Sequence, residues 1–99
     1  MNGHPGQLPI PFPASGDVKA RELVRVWQSR GTIQMALQPD LWDDPGIWGI
    51  VLVDLAKLIA EAYDKSGQMD AAKALELIKQ LFEAEWISPT DFPKGSFVD

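Results

Sequence analysis

The chain has 99 residues, no cysteine and a formal net charge of −5. That length allows one small domain with a modest core, and the missing cysteines exclude disulfides, zinc–thiolate sites and thiol catalysis. The nine Lys and Arg residues are scattered along the chain, which argues against nucleic acid and anionic membrane surfaces, because no basic patch exists to neutralise phosphates.

Residues 1–16, "MNGHPGQLPIPFPASG", hold four of the eight prolines and three of the eight glycines. They read as a proline- and glycine-rich arm. Within "LPIPFP" the prolines lack the N–H that a central strand needs, so an extended or polyproline-like course is expected. Leu8, Ile10 and Phe12 are placed to dock on the body of the same domain. The arm has no basic start and no continuous apolar stretch, so it does not read as a targeting peptide. Together with the absence of cysteine, this predicts a cytoplasmic protein. His4, the only histidine, lies in this arm. It offers neither a two-histidine metal site nor a core-anchored serine–histidine triad.

The spacing of Ala20, Leu23, Val24 and Trp27 predicts a first helix from about Asp17 to Arg30. Ser15 or Asp17 would cap it, and Gly31 would end it in a left-handed conformation. Next, "TIQMALQ", Thr32 to Gln38, alternates Ile33, Met35 and Leu37 with smaller or polar residues. Period two predicts a half-buried strand, stopped by Pro39.

A second helix is predicted from Pro45 to about Ser66, with Asp44 as its cap and Gly67 at its end. Asp54, Lys57, Glu61, Asp64 and Lys65 share one stripe of about 100° of arc, and the rest is mostly apolar, which predicts the central helix of the fold. A third helix is predicted from about Asp70 to Trp86. Ala71, Ala74, Leu75, Ile78 and Phe82, widened by Leu77, Leu81 and Ala84, give roughly 200° of apolar arc. The short "KSGQM" link predicts an antiparallel helical hairpin. From Ser88 onward the chain reads as a tail, and Trp86, Ile87, Phe92 and Phe97 are expected to cover the hairpin's end.

These elements predict an α+β fold: a compact domain over 17–99 in the order helix, strand, helix, helix, with a central helical hairpin between proline-rich tails. A lone strand leaves a row of unpaired backbone groups. Inside the chain only the arm or "GSFV" near the C-terminus is placed to pair with it. A second copy of "TIQMALQ" across a two-fold axis is the simpler answer. The two long helices also show more apolar surface than one helix and one strand can cover. Both points predict a homodimer.

The chemistry candidates sit in "QPDLWDDPGIWG". Asp40, Asp43 and Asp44 resemble an acidic site, since neighbouring carboxylates shift each other's pKa and bind hard cations. The spacing fits no ion loop, however, and neither a dinucleotide fingerprint nor a Walker pattern occurs in the chain. A structural role accounts for each residue. Asp40 favours a turn after Pro39, Asp44 caps the helix, Asp43 lies near the positive end of its dipole, and Leu41 and Trp42 staple onto Trp48. If this segment binds a ligand or partner, the residues are Asp40, Leu41, Trp42, Asp43 and Trp48. No catalytic residue, metal ligand set or cofactor is predicted.

At "RELVRVW" (Arg21 to Trp27) and "LWDDPGIWGIVLVDLA" (Leu41 to Ala56) the chain resembles a family of small uncharacterised bacterial proteins of about 100 residues, a domain of unknown function. The arm "GHPGQLPIP" extends the likeness over nearly the whole chain. The resemblance implies a bacterial cytoplasmic setting and brings no activity, cofactor or catalytic residue. The sequence therefore predicts a non-enzymatic protein-interaction or structural domain acting as a homodimer. The alternative is a small-ligand or divalent-metal binding protein using the turn at 40–48.

Overall fold

The computed structural model describes residues 3–90 and, as backbone, 94–97. Two long helices and a small sheet make the chain an α+β protein, divided into two compact units. The first is built from the chain up to Pro39 and from the strand near the C-terminus. The second begins at Asp40 and contains both long helices.

The first unit opens with a helical turn, α1 (Phe12–Ser15), where an extended arm was expected. Pro11 and Pro13 set φ values that a first helical turn accepts. The Ser15 hydroxyl donates to the Phe12 carbonyl at 2.8 Å. No helix follows at 17–30. Asp17 closes a turn, its Oδ1 accepting from the Lys19 N–H at 2.9 Å. The segment that was to be helical instead becomes β1 (Val24–Ser29). It pairs antiparallel with β2 (Thr32–Leu37), from Val24 opposite Leu37 to Ser29 opposite Thr32.

The two residues between these strands decide the outcome. Arg30 has φ 55 and Gly31 φ 77, the pair of positive values that a tight hairpin turn requires. Gly31 is thus the turn of a hairpin, not the stop of a helix. Val24 and Trp27 are spaced for one helix face and Val24 and Val26 for one strand face, so the local pattern alone leaves both open. Pairing with a good strand partner two residues away outweighs local helix preference. One face of the hairpin carries Val24, Val26, Ile33, Met35 and Leu37. The other carries Arg25, Trp27, Gln34 and Thr32.

The strand predicted at Thr32 to Gln38 is present, with the predicted face, but it is not alone. The sheet has the order β1-β2-β3, where β3 is Lys94–Phe97. β2 is the middle strand, so its backbone groups find partners within the chain. The unpaired-strand argument for a dimer therefore does not hold. Phe92 lies outside the described residues, as does the side chain of Phe97.

In the second unit, α2 (Ile47–Lys65) and α3 (Ala71–Ile87) pack as the expected hairpin. α2 ends in a full Schellman motif. The Gly67 N–H donates to the Asp64 carbonyl at 3.0 Å and the Gln68 N–H to the Tyr63 carbonyl at 3.2 Å, with Gly67 at φ 79. The start of α3 is held by two carboxylates. Asp70 is the N-cap, accepting from the Lys73 N–H at 2.8 Å. Asp64, at the end of α2, accepts from the Ala71 N–H at 3.0 Å. These bonds satisfy donors that a helix start leaves free, and the second one ties the two helices together.

The helices meet through small side chains. Ala60 and Ala74 are the only buried hydrophobic residues among those described. Ala56, Ala71, Leu75 and Ile78 are half-buried beside them. Small residues let two helices approach closely, and they leave the large ones outside the seam. Ile50, Leu52, Val53, Leu55, Leu58, Ile59 and Tyr63 of α2 are each 39–64% exposed. The expectation of a central, buried α2 is corrected accordingly. Trp86 and Ile87 do not cover the hairpin's end; they are 80% and 83% exposed. Among the described residues no helix is long and apolar enough to cross a membrane.

Candidate functional site

The acidic–tryptophan turn leads into α2. Asp44 Oδ1 accepts from the Gly46 N–H at 2.8 Å, an Asx turn. Successive turns follow, with Ile47, Trp48 and Gly49 N–H groups donating to the carbonyls of Asp44, Pro45 and Gly46. The helix proper starts at Ile47, and its N-cap position is Gly46, without a side-chain cap. The predicted cap at Asp44 with Pro45 in the first turn therefore falls two residues early. Asp44 captures a backbone donor in the lead-in turn, and the i→i+3 bonds wind the chain into the helix. Gly46 suits this tight turn, since a Cβ there would lie 3.0 Å from Asp44 Oδ1.

Trp42 and Trp48 meet edge to face, with ring centroids 5.3 Å apart and planes at 76°. This is the staple read from the sequence. Leu41 and Trp48 are half-buried, while Asp40, Asp43 and Asp44 are exposed. Among the described residues no three His, Asp or Glu side chains come together as a metal-ligand group. The turn thus brings Trp42 and Trp48 together, but it does not gather the carboxylates around one point.

Two further features lie outside this turn. In the first unit, an open groove of about 620 Å³ runs between the arm and β1, with Leu8, Ile10, Val24 and Trp27 among its walls. His4 stands edge-on to Trp27 at 4.9 Å, and its Nδ1 accepts from the Gly6 N–H at 2.9 Å. Reading Trp27 as helical hid this groove. In the second unit, the outer surface of the helical hairpin is apolar on both helices. Leu77, Leu81, Phe82 and Trp86 of α3 are 41–80% exposed. Phe82 and Trp86 stack with centroids 5.9 Å apart. The wide apolar arcs of α2 and α3 were the available signal for this surface.

A family described as "Domain of unknown function (DUF5076)" matches residues 7–90. The chain is also similar to a solved structure described as "a putative pyruvate dehydrogenase from the photosynthetic bacterium Rhodopseudomonas palustrus CGA009". The two are 36% identical, the match covers 93% of this chain and 92% of that one, and the TM-score is 0.71. No curated protein matches.

Proposed function

The chain belongs to this family of unknown function, and we propose that it is a non-enzymatic protein-interaction or structural domain that acts as a homodimer in the bacterial cytoplasm. One observation carries the proposal. A hairpin of 19 and 17 residues fully buries only two alanines and leaves most of its large aliphatic and aromatic side chains exposed. Contiguous apolar surface of that extent on a soluble protein marks an interaction site. Its burial in an assembly would supply the hydrophobic stabilisation that a two-alanine core lacks.

The acidic–tryptophan turn enters this reading as the device that starts α2 and sets its direction. Asp40 and Asp43, exposed on the turn, are the groups it presents to a partner or ligand. Light scattering behind a sizing column, across a dilution series, tests the proposal. Twice the 10.9 kDa chain, a mass of 21.8 kDa, is the expected result. A mass of one chain at every concentration would overturn it.

A further inference from the structure

The two long helices expose apolar residues on both sides of their alanine seam, and the two sides differ. At about 100° per residue, Leu52, Leu55, Ile59 and Tyr63 of α2 fall on one side of the line through Ala56 and Ala60. The same construction on the antiparallel α3 puts Leu77 and Leu81 on that same side of Ala74 and Ile78. These six side chains are 39–67% exposed. None of the six is charged; Lys73 flanks Leu77 on this side and pairs with Glu76 of its own helix at 3.7 Å. On the opposite side, Ile50, Val53, Phe82 and Trp86 share the surface with Lys57 and Asp64, so that face is broken by charge.

We propose that the uncharged leucine face is the seam of the homodimer, covered by the same face of a second copy to form a four-helix bundle about a two-fold axis. This inference rests on the dimer reading above and adds which surface meets which. Three observations select a second copy. Its six large side chains carry no charge and, apart from the Tyr63 hydroxyl, no polar group, and the Lys73 charge at its edge is already paired with Glu76. It therefore has nothing with which to choose a differently charged partner, while a two-fold makes any apolar patch its own complement. Two copies of a chain of net charge −5 repel least where the contact itself carries little charge, and here Lys57, Glu61 and Asp64 of α2 and Glu76, Lys79 and Glu83 of α3 lie away from the contact. The size also fits. Helices of 19 and 17 residues set side by side give a footprint of roughly 25 by 20 Å in projection. The accessible area of a rugged side-chain surface exceeds its projection, which brings it to the scale of the ~800 Å² per partner of a standard interface.

The test uses charge insertion and disulfide trapping in the full chain, which has no native cysteine. Leu81→Glu should weaken self-association at least a thousandfold, while Phe82→Glu, on the other side, should leave the mass unchanged. Circular dichroism would report whether Leu81→Glu keeps its helices. Should it unfold, single cysteines decide. Under mild oxidation at least one of Leu55→Cys, Ile59→Cys, Leu77→Cys and Leu81→Cys should form a disulfide-linked dimer, and Lys57→Cys should not. A dimer that Phe82→Glu disrupts and Leu81→Glu does not, or that cross-links only from the Lys57 side, overturns this inference and leaves the dimer reading intact. A monomer at every concentration, with no cross-link at any of these positions, overturns both.

Discussion

Leu81→Ala gives the dimer reading a magnitude. Leu81 is 67% exposed in the single chain. Removing its outer three carbons deletes about 2.4 kcal/mol of burial at ~0.8 kcal/mol per carbon if the residue goes from fully exposed to fully buried. Only the still-exposed two-thirds can be gained on association, which leaves about 1.6 kcal/mol per copy. A two-fold interface counts the residue twice, so the dimer should lose about 3 kcal/mol, roughly a 200-fold rise in Kd. Alanine is the better helix former, so the helix itself is not weakened. Sedimentation equilibrium over a dilution series measures the dissociation constant directly. If Leu81 were an ordinary surface residue, its replacement would change stability by no more than about 0.5 kcal/mol and leave the mass alone. A Kd within about threefold of the unmodified protein would refute the reasoning, since that is about 0.6 kcal/mol.

Four further outcomes are expected. Asp70→Ala removes the N-cap bond to Lys73 and should lower stability by about 1 kcal/mol in chemical denaturation, with Asp70→Ser recovering most of it. Gly31→Val places a β-branched residue at φ 77 and should cost at least about 1–2 kcal/mol, although a Cβ there meets nothing within 4 Å; an unchanged melting temperature would mean that the hairpin turn is misassigned. Trp42→Ala removes the edge-to-face contact with Trp48 and should destabilise by about 0.5–1.5 kcal/mol beyond the lost area in chemical denaturation, while the solution mass stays that of a dimer. Millimolar calcium, magnesium or manganese should leave the melting temperature unchanged, because bound metal must raise it; an upward shift abolished by Asp40→Asn with Asp43→Asn would reinstate the metal-binding alternative.

Where local chemistry suffices, the structure follows the sequence. The two long helices begin and end within about two residues of their predicted limits, because Gly67 and Asp70 are stop and start signals that act through bonds to their near neighbours. The alternation of Ile33, Met35 and Leu37 defined a strand, although only Met35 and Leu37 of the three are half-buried and Ile33 stays 47% exposed. The tryptophan staple was visible because Trp42 and Trp48 lie close in the chain. The segment Asp17 to Ser29 was decided elsewhere. Val24 with Trp27 suits a helix and Val24 with Val26 suits a strand, and what settles the choice is the register with Thr32–Leu37 across a turn whose Arg30 and Gly31 both take positive φ. β3 likewise joins the sheet from more than fifty residues away in the chain, a distance over which no periodicity reports.

The sequence by itself determined an α+β protein with a helical hairpin, an excess of apolar arc and no cysteine chemistry, since these are properties of composition and of spacing along one element. Only the tertiary structure decided how that arc is used. The hairpin seam is closed by alanines, so the close approach of the two helices consumes little apolar surface. The leucines are turned outward because a seam built on Ala60 and Ala74 has no room for them.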